Sequence, residues 1–195
     1  MKTNPHTRFI IILITFCIIA GCEQATKDHL WRFDTTGAVS SSPAALDGFV
    51  YFGSSDYSVY CLDALTGDAH WQMPTQGPVL SSPALANGYV YIGSSDGFLY
   101  CFNAQSGSQL WKSNVGAPII TSPAVTEGFV YITQDEYRIY CFDARTGAEA
   151  WQTLTFGMRQ STPALADGYL FTGSYHLPVY SLNAETRHYN WGFGA

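Results

Sequence analysis
The chain has 195 residues, 47% of them hydrophobic and 15% aromatic, with only 12% charged and 18 glycines. That is too apolar and aromatic for a disordered polymer, and it has the strand formers and turn residues of an all-β protein. The formal charge of −6 becomes −8 without Lys2 and Arg8 of the leading segment; it repels phosphate backbones and excludes nucleic acid as an expected partner.

The chain opens on MKTNPHTR, a short basic stretch, followed by FIIILITFCII, an apolar run of eleven. Such a run is short for crossing a bilayer and suits the core of a signal peptide. It ends in Ile19-Ala20-Gly21-Cys22, which resembles a bacterial lipobox. The resemblance implies a signal peptide over 1–21, cleavage before Cys22, and a diacylglycerol on its thiol, so that lipid alone meets the membrane. Residues 22–28 are then the lipidated cysteine and a polar tether, EQATKD. Glu23, rather than Asp, follows the cysteine, which by the same resemblance favours the outer membrane, facing the periplasm. The plainer alternative is an ordinary signal peptide or uncleaved anchor with Cys22 incidental.

From residue 29 the sequence repeats. Trp31, Trp71, Trp111, Trp151 and Trp191 are all the tryptophans, and each lies forty residues from the next. Pro43, Pro83, Pro123 and Pro163 keep the same spacing, as do Gly48, Gly88, Gly128 and Gly168, and Tyr60, Tyr100, Tyr140 and Tyr180. A period of forty fits one four-stranded propeller blade. The units run over about 37–74, 75–114, 115–154 and 155–195, preceded by one extra strand at 29–35 that carries Trp31.

Within a unit, strand A is SSPAAL (41–46), with proline at its start, where a missing N–H does least damage. Asp-Gly, Asn-Gly, Glu-Gly and Asp-Gly follow, which are two-residue hairpin signals. Strand B is FVYFGS (49–54) and strand C is SVYCLD (58–63). The corner after strand C reads DALTG, NAQSG or DARTG, where an Asp63, Asn103 or Asp143 side chain can accept backbone N–H bonds. Strand D, DAHWQM (68–73), brings in the tryptophan. Strands B and C are apolar on both faces, so each sheet is expected to be covered on both sides. The last unit departs from the pattern: Arg187 stands where the corner glycine belongs, at roughly 1 kcal/mol for a left-handed non-glycine residue.

The stretch SSPAALDGFVYFGSSDYSVYCLDALTGDAHW resembles the PQQ-like β-propeller repeat with its A-x-x-T-G-x-x-x-W tryptophan-docking motif. The resemblance covers residues 30 to 193 and implies an all-β fold of four four-stranded antiparallel blades, a small or partial β-propeller. It also implies Trp31, Trp71, Trp111, Trp151 and Trp191 as docking residues. That family includes quinoprotein dehydrogenases and BamB-like lipoproteins of the outer-membrane protein assembly machinery, most with seven or eight blades. Four units are therefore half the usual number, and the expectation is an imperfectly closed arc or a homodimer that completes eight.

Catalysis finds little support in the residues. Cys61, Cys101 and Cys141 recur in strand C, with Ser181 in the fourth copy. Neighbouring sheets stack about 10 Å apart, whereas a disulfide needs Cα atoms within about 7 Å. The three are read as buried free thiols, and there is no C-x-x-C or paired histidine to hold a metal. By resemblance, quinoprotein dehydrogenases stack their cofactor on a disulfide of adjacent cysteines and hold Ca²⁺ with Glu, Asn and Asp; this chain has no Cys-Cys pair. No cofactor and no metal are expected. Repeated serines such as Ser41, Ser42, Ser81 and Ser82 are read as turn caps, and His29, His70, His176 and His188 as surface or satisfied residues.

Variation points elsewhere. The A–B and C–D turns are nearly constant between copies, whereas the B–C loops read SSDYS, SSDGF, TQDEYR and GSYHLP. The D–A loops differ as widely, from PTQGPV to LTFGMR. On one rim these loops would present Tyr57, Phe98, Glu136, Tyr137, Arg138, Phe156, Arg159, Tyr175 and His176, residue types suited to a protein interface. The expectation is a non-enzymatic envelope lipoprotein that binds or scaffolds a protein partner, with the β-barrel assembly machinery as the implied one. A quinoprotein-type dehydrogenase or a fragment of one is the alternative, and a carbohydrate-binding envelope protein the second.

Overall fold
A computed structural model of the chain describes residues 31–126, 128–134, 138–154, 161–173, 179–186 and, for the backbone alone, 189–192. Two compact units divide it, residues 1–32 and 33–195, and the second holds every described strand. The leader, Cys22 and the tether lie outside the described residues. Residues 31–35, within the expected extra strand, are in no strand.

The described residues form sixteen strands in four antiparallel sheets in simple chain order. The first sheet is β1 (Ala44–Leu46), β2 (Phe49–Ser54), β3 (Ser58–Asp63) and β4 (Ala69–Pro74). The second is β5 (Ala84–Ala86), β6 (Tyr89–Gly93), β7 (Phe98–Asn103) and β8 (Gln109–Asn114). The third is β9 (Ala124–Val125), β10 (Phe129–Gln134), β11 (Arg138–Asp143) and β12 (Glu149–Leu154). The fourth is β13 (Ala164–Ala166), β14 (Tyr169–Thr172), β15 (Tyr180–Asn183) and β16 (Tyr189–Gly192). The first strands β1, β5, β9 and β13 lie beside one another, so they form the inner edge of the row and the tryptophan strands its outer edge. This is the four-blade arrangement expected from the repeat.

The turns explain the sheets. Asp47 and Gly48, Asn87 and Gly88, and Asp167 and Gly168 all have positive φ, as a two-residue hairpin matched to strand twist requires. Proline ends up just outside strand A rather than within it, so β1 starts at Ala44 and β5 at Ala84. A bulge on the outer strand recurs in all four sheets: Cys61 pairs with Trp71 but Leu62 pairs with Ala69, which leaves His70 as the extra residue. The bulge puts Tyr51, Cys61 and Trp71 in one cross-strand row on one face.

That row faces the next sheet. Tyr51, Val59, Cys61 and Trp71 pack against Val90, Ile92, Tyr100 and Phe102. Forty residues on, Tyr91, Leu99, Cys101 and Trp111 pack against Val130, Ile132, Tyr140 and Phe142. The third seam joins Tyr131, Ile139 and Cys141 to Leu170 and Leu182, with Trp151 only half-buried. Among the described residues no such cluster joins the fourth sheet to the first. Both faces of sheets two and three are therefore buried, as their two-sided apolar strands demand.

Tryptophan docking has a defined geometry. Trp71 Nε1 donates to the Ala104 carbonyl at 2.8 Å and Trp111 Nε1 to that of Ala144 at 3.2 Å. The Tyr51 and Tyr91 hydroxyls donate to the same two carbonyls. A Cβ at Gly107 would stand 2.8 Å from the Trp71 ring, and one at Gly147 2.6 Å from the Trp111 ring. The corner glycine is thus where the previous sheet's indole lies flat. Trp31 is half-buried, and the side chain of Trp191 lies outside the described residues.

Candidate interaction face
The two rims are built differently. On one, each A–B turn is tied to the C–D corner of its own sheet: Ala64, Ala104, Ala144 and Ala184 donate their N–H to Gly48, Gly88, Gly128 and Gly168, each at 2.9 Å. The corners hold themselves as expected. Asp63 Oδ1 accepts from the N–H of Leu65 and Thr66, both at 2.8 Å, and these bonds hold its carboxyl below the ordinary aspartate range. Asn103, Asp143 and Asn183 repeat the turn. Each of these four side chains is engaged through its Oδ1 within its own turn. A cleft of about 420 Å³ between the first two sheets opens on this rim, beside Leu46, Asp47, Phe49, Asn103 and Gln105. His70, on the neighbouring bulge, bonds the Gln105 carbonyl at 2.8 Å and lies against Phe49, so it is a satisfied residue between sheets.

The B–C and D–A loops do share the other rim, and they are tied together. Ser55 N–H donates to the Ala38 carbonyl, Ser95 N–H to that of Pro78, and Val79 and Ile119 N–H to those of Ser54 and Ser94. Two aspartates clamp the bundle. Asp96 Oδ2 accepts from the Gln76 N–H and the Tyr100 hydroxyl, both at 2.8 Å, while its Oδ1 accepts from Phe98 N–H at 2.9 Å. Asp56 Oδ2 takes the Tyr60 hydroxyl at 2.8 Å and Thr36 N–H at 3.2 Å. Burial first, then the bond to aspartate, raises both tyrosine pKa values. The Ser-Ser-Asp of the first two B–C loops is therefore a fastener, a role that sequence reasoning missed.

On this fastened rim Tyr57 is half exposed, at 50%, with φ of 68°. The second sheet has Gly97 in its place, with φ of 87°. A left-handed non-glycine residue costs roughly 1–2 kcal/mol, and here it is held by the Thr75 N–H bond to the Tyr57 carbonyl at 2.7 Å. Phe98 is half-buried under Lys112, whose Nζ lies 4.4 Å from the ring centre. Arg138 is half-buried and donates from Nη1 to Gln152 at 2.7 Å. Glu136, Tyr137, Phe156, Arg159, Tyr175 and His176 lie outside the described residues.

The buried thiols do not form a reactive or metal-binding group. Cys61, Cys101 and Cys141 are free and fully buried, each between a tyrosine and a tryptophan of its own sheet. Burial pushes the Cys61 thiol up to about 11 and those of Cys101 and Cys141 to about 12. Among the described residues no three His, Cys, Asp or Glu side chains converge as metal ligands. Cys61, Cys101 and Cys141 lie in three separate sheets, so none of these three stands beside another as a disulfide of adjacent cysteines would require.

The chain resembles the crystal structure of BamB from Moraxella catarrhalis with a TM-score of 0.72 at 20% identity, over 83% of this chain and 54% of that one. It resembles a quinohemoprotein alcohol dehydrogenase from Pseudomonas putida with a TM-score of 0.72 at 21% identity, over 84% of this chain and 35% of that one. A europium-containing methanol dehydrogenase gives 0.71 at 15%, over 84% and 43%. The chain thus spans about half the length, or less, of these structures, and the likeness is one of fold. No curated protein matches. A family model described as "Outer membrane protein assembly factor BamB" matches residues 18–192, nearly the whole of the repeat array, and the chain belongs to that family of PQQ-like β-propellers.

Proposed function
We propose that this chain is a non-catalytic, lipid-anchored module of the cell envelope whose loop rim binds a protein partner, as an outer-membrane protein assembly factor would. The observation that carries this reading is the fastened rim, which holds Tyr57 half exposed in a backbone conformation better suited to glycine. Strain kept at an exposed aromatic side chain supports a binding role. Family membership supports the envelope setting, the periplasmic face of the outer membrane and the β-barrel assembly machinery as partner. In-cell crosslinking from a photoreactive residue at Tyr57, read by mass spectrometry, tests it. Recovery of β-barrel assembly components supports the reading, and loss of that recovery in a Tyr57→Ala, Phe98→Ala, Arg138→Ala variant assigns it to the rim. A second variant, Tyr137→Ala with Arg159→Ala, probes the rest of the expected face. Undiminished recovery in both variants would exclude this rim.

A second reading, a quinoprotein-type fragment, has the likeness to quinohemoprotein alcohol dehydrogenase in its favour. Titrating the purified chain with pyrroloquinoline quinone and Ca²⁺ separates the two. A saturable spectral shift would favour the enzyme, and its absence the binding module.

A further inference from the structure
The cleft between the first two sheets carries side chains that the repeat does not call for. Its walls are the hairpin turn of the first sheet, with Leu46, Asp47 and Phe49, and the corner of the second, with Asn103 and Gln105. An aromatic ring recurs at 49, 89, 129 and 169, and an Asp or Asn at 63, 103, 143 and 183, as parts of the strand and the corner. The remaining set belongs to this seam. Forty residues on, Asn87 stands for Asp47, Leu110 for His70, Asp143 for Asn103 and Arg145 for Gln105.

Asn103 is the most informative of these. Its corner uses Oδ1, which accepts from Gln105 N–H at 3.1 Å and Ser106 N–H at 2.8 Å. Asp63 and Asp143 hold the same corner with a carboxylate. What the amide adds is a donor, Nδ2, on a residue that lines the cleft. Among the described residues no hydrogen bond holds that Nδ2, the Asp47 carboxylate or the Gln105 side chain. His70 braces the two walls. A carbonyl only accepts, so His70 Nε2 donates to the Gln105 carbonyl at 2.8 Å, while the imidazole lies against Phe49 with ring centres 4.7 Å apart. The wall positions are thus set before any ligand arrives.

We propose that this cleft binds a neutral hexopyranose through its vicinal hydroxyls. Its volume of about 420 Å³ lies within the range of small-molecule clefts, about 300–1,000 Å³. A sugar hydroxyl both donates and accepts. The Asp47 carboxylate accepts, Asn103 Nδ2 donates and the Gln105 amide does both, so neighbouring hydroxyls find complementary partners. Leu46 and Phe49 give the C–H face of the ring an apolar wall. Other ligand classes fit these residues less well. Asp47 repels a phosphate or a carboxylate. An ammonium group would pair with Asp47 but face the N–H donors of Asn103 and Gln105. An apolar ligand would strip water from a carboxylate and two amides and return no hydrogen bonds. The cleft opens on the rim away from Tyr57, so this site holds whether or not the loop rim binds a partner.

Saturation-transfer difference NMR on the full chain, kept in a detergent without a sugar head group, tests the site. The probes are glucose, galactose, mannose and N-acetylglucosamine, each titrated through the millimolar range. Expected is saturable transfer to the ring C–H protons of at least one of them, with affinity lowered about tenfold by Asp47→Ala and by Asn103→Asp, the loss of one hydrogen bond to the sugar in each case. Asn103→Asp keeps the corner, as Asp63 and Asp143 show, so its effect is on the ligand and not on folding. The reverse exchange at the third sheet's corner, Asp143→Asn, is expected to leave affinity unchanged. Transfer to none of the four sugars, or affinity undiminished in either cleft variant, overturns the proposal. Saturable binding of butylammonium in place of the sugars would overturn it as well, and would mark an acidic site for amines.

Discussion
Gly107 and Gly168 share a left-handed backbone, with φ of 72° and 80°, but not a neighbourhood. A Cβ at Gly168 meets nothing within 4 Å, whereas one at Gly107 would run into the Trp71 ring and the Met73 methyl group. Two glycines that read alike in sequence thus answer to different physics, one to dihedral freedom alone and the other to an indole from the previous sheet as well. Gly168→Ala is expected to cost about 1 kcal/mol, the ordinary penalty for alanine at positive φ. Gly107→Ala should cost that and about 1–3 kcal/mol more, because a well-packed seam must shift to admit the methyl group. Urea unfolding of the two variants checks this; equal costs would mean that the indole is not pressed on the corner.

At the scale of the element, strand A is the informative one. Strands B and C were legible from the apolar residues on both of their faces, and the Asx corners were legible because their partners lie two and three residues away. The paired serines before strand A were not. Ser81 Oγ donates to the Gly93 carbonyl and accepts from its N–H, at 2.9 and 2.8 Å, and so replaces a missing rung between strand A and strand B. Ser82 instead bonds across seams, its Oγ accepting from Ser42 N–H at 2.8 Å and its N–H donating to Ser122 Oγ at 2.9 Å. Their partners lie twelve and forty residues away, beyond any local pattern; the recurrence of a hydroxyl at 42, 82, 122 and 162 was the available signal. The rim aspartates escaped for the same reason, their partners being twenty residues back. The difference has a measurable consequence. Ser81→Ala strands a buried N–H and weakens a carbonyl's pairing, which should cost about 2–3 kcal/mol, whereas Ser82→Ala, half-buried with water at hand, should cost about 1. Thermal or urea denaturation of the pair should rank them in that order.

For the whole molecule, stability in a row of sheets is close to a sum over seams, and the third seam is the thinnest among the described residues, with Trp151 only half-buried where Trp71 and Trp111 are buried. Amides of β14 and β15 should therefore exchange with solvent faster than those of β6 and β7; the reverse order, read by mass spectrometry, would contradict the seam account. All three seams share one weakness, which pH exposes. Burial raises Cys61 from 9.0 to about 11, Cys101 and Cys141 to about 12, and Tyr51 from 10.0 to about 12. Tyr91, Tyr100 and Tyr131 are raised further for the same leading reason. From about pH 9 upward the unfolded chain releases these protons while the folded chain keeps them, so the unfolded state binds fewer and stability falls as pH rises, by up to about 1.4 kcal/mol per pH unit for each group. The urea midpoint should hold steady to about pH 8.5 and then drop steeply, the thiols leading because they titrate first in the unfolded chain. A Cys61→Ala, Cys101→Ala, Cys141→Ala variant should begin its drop about one pH unit later, since only the tyrosines then remain to titrate. A midpoint unchanged between pH 9 and 11 in the parent chain would mean that these groups meet water in the folded state, and so that the sheets do not bury a shared apolar interior between them.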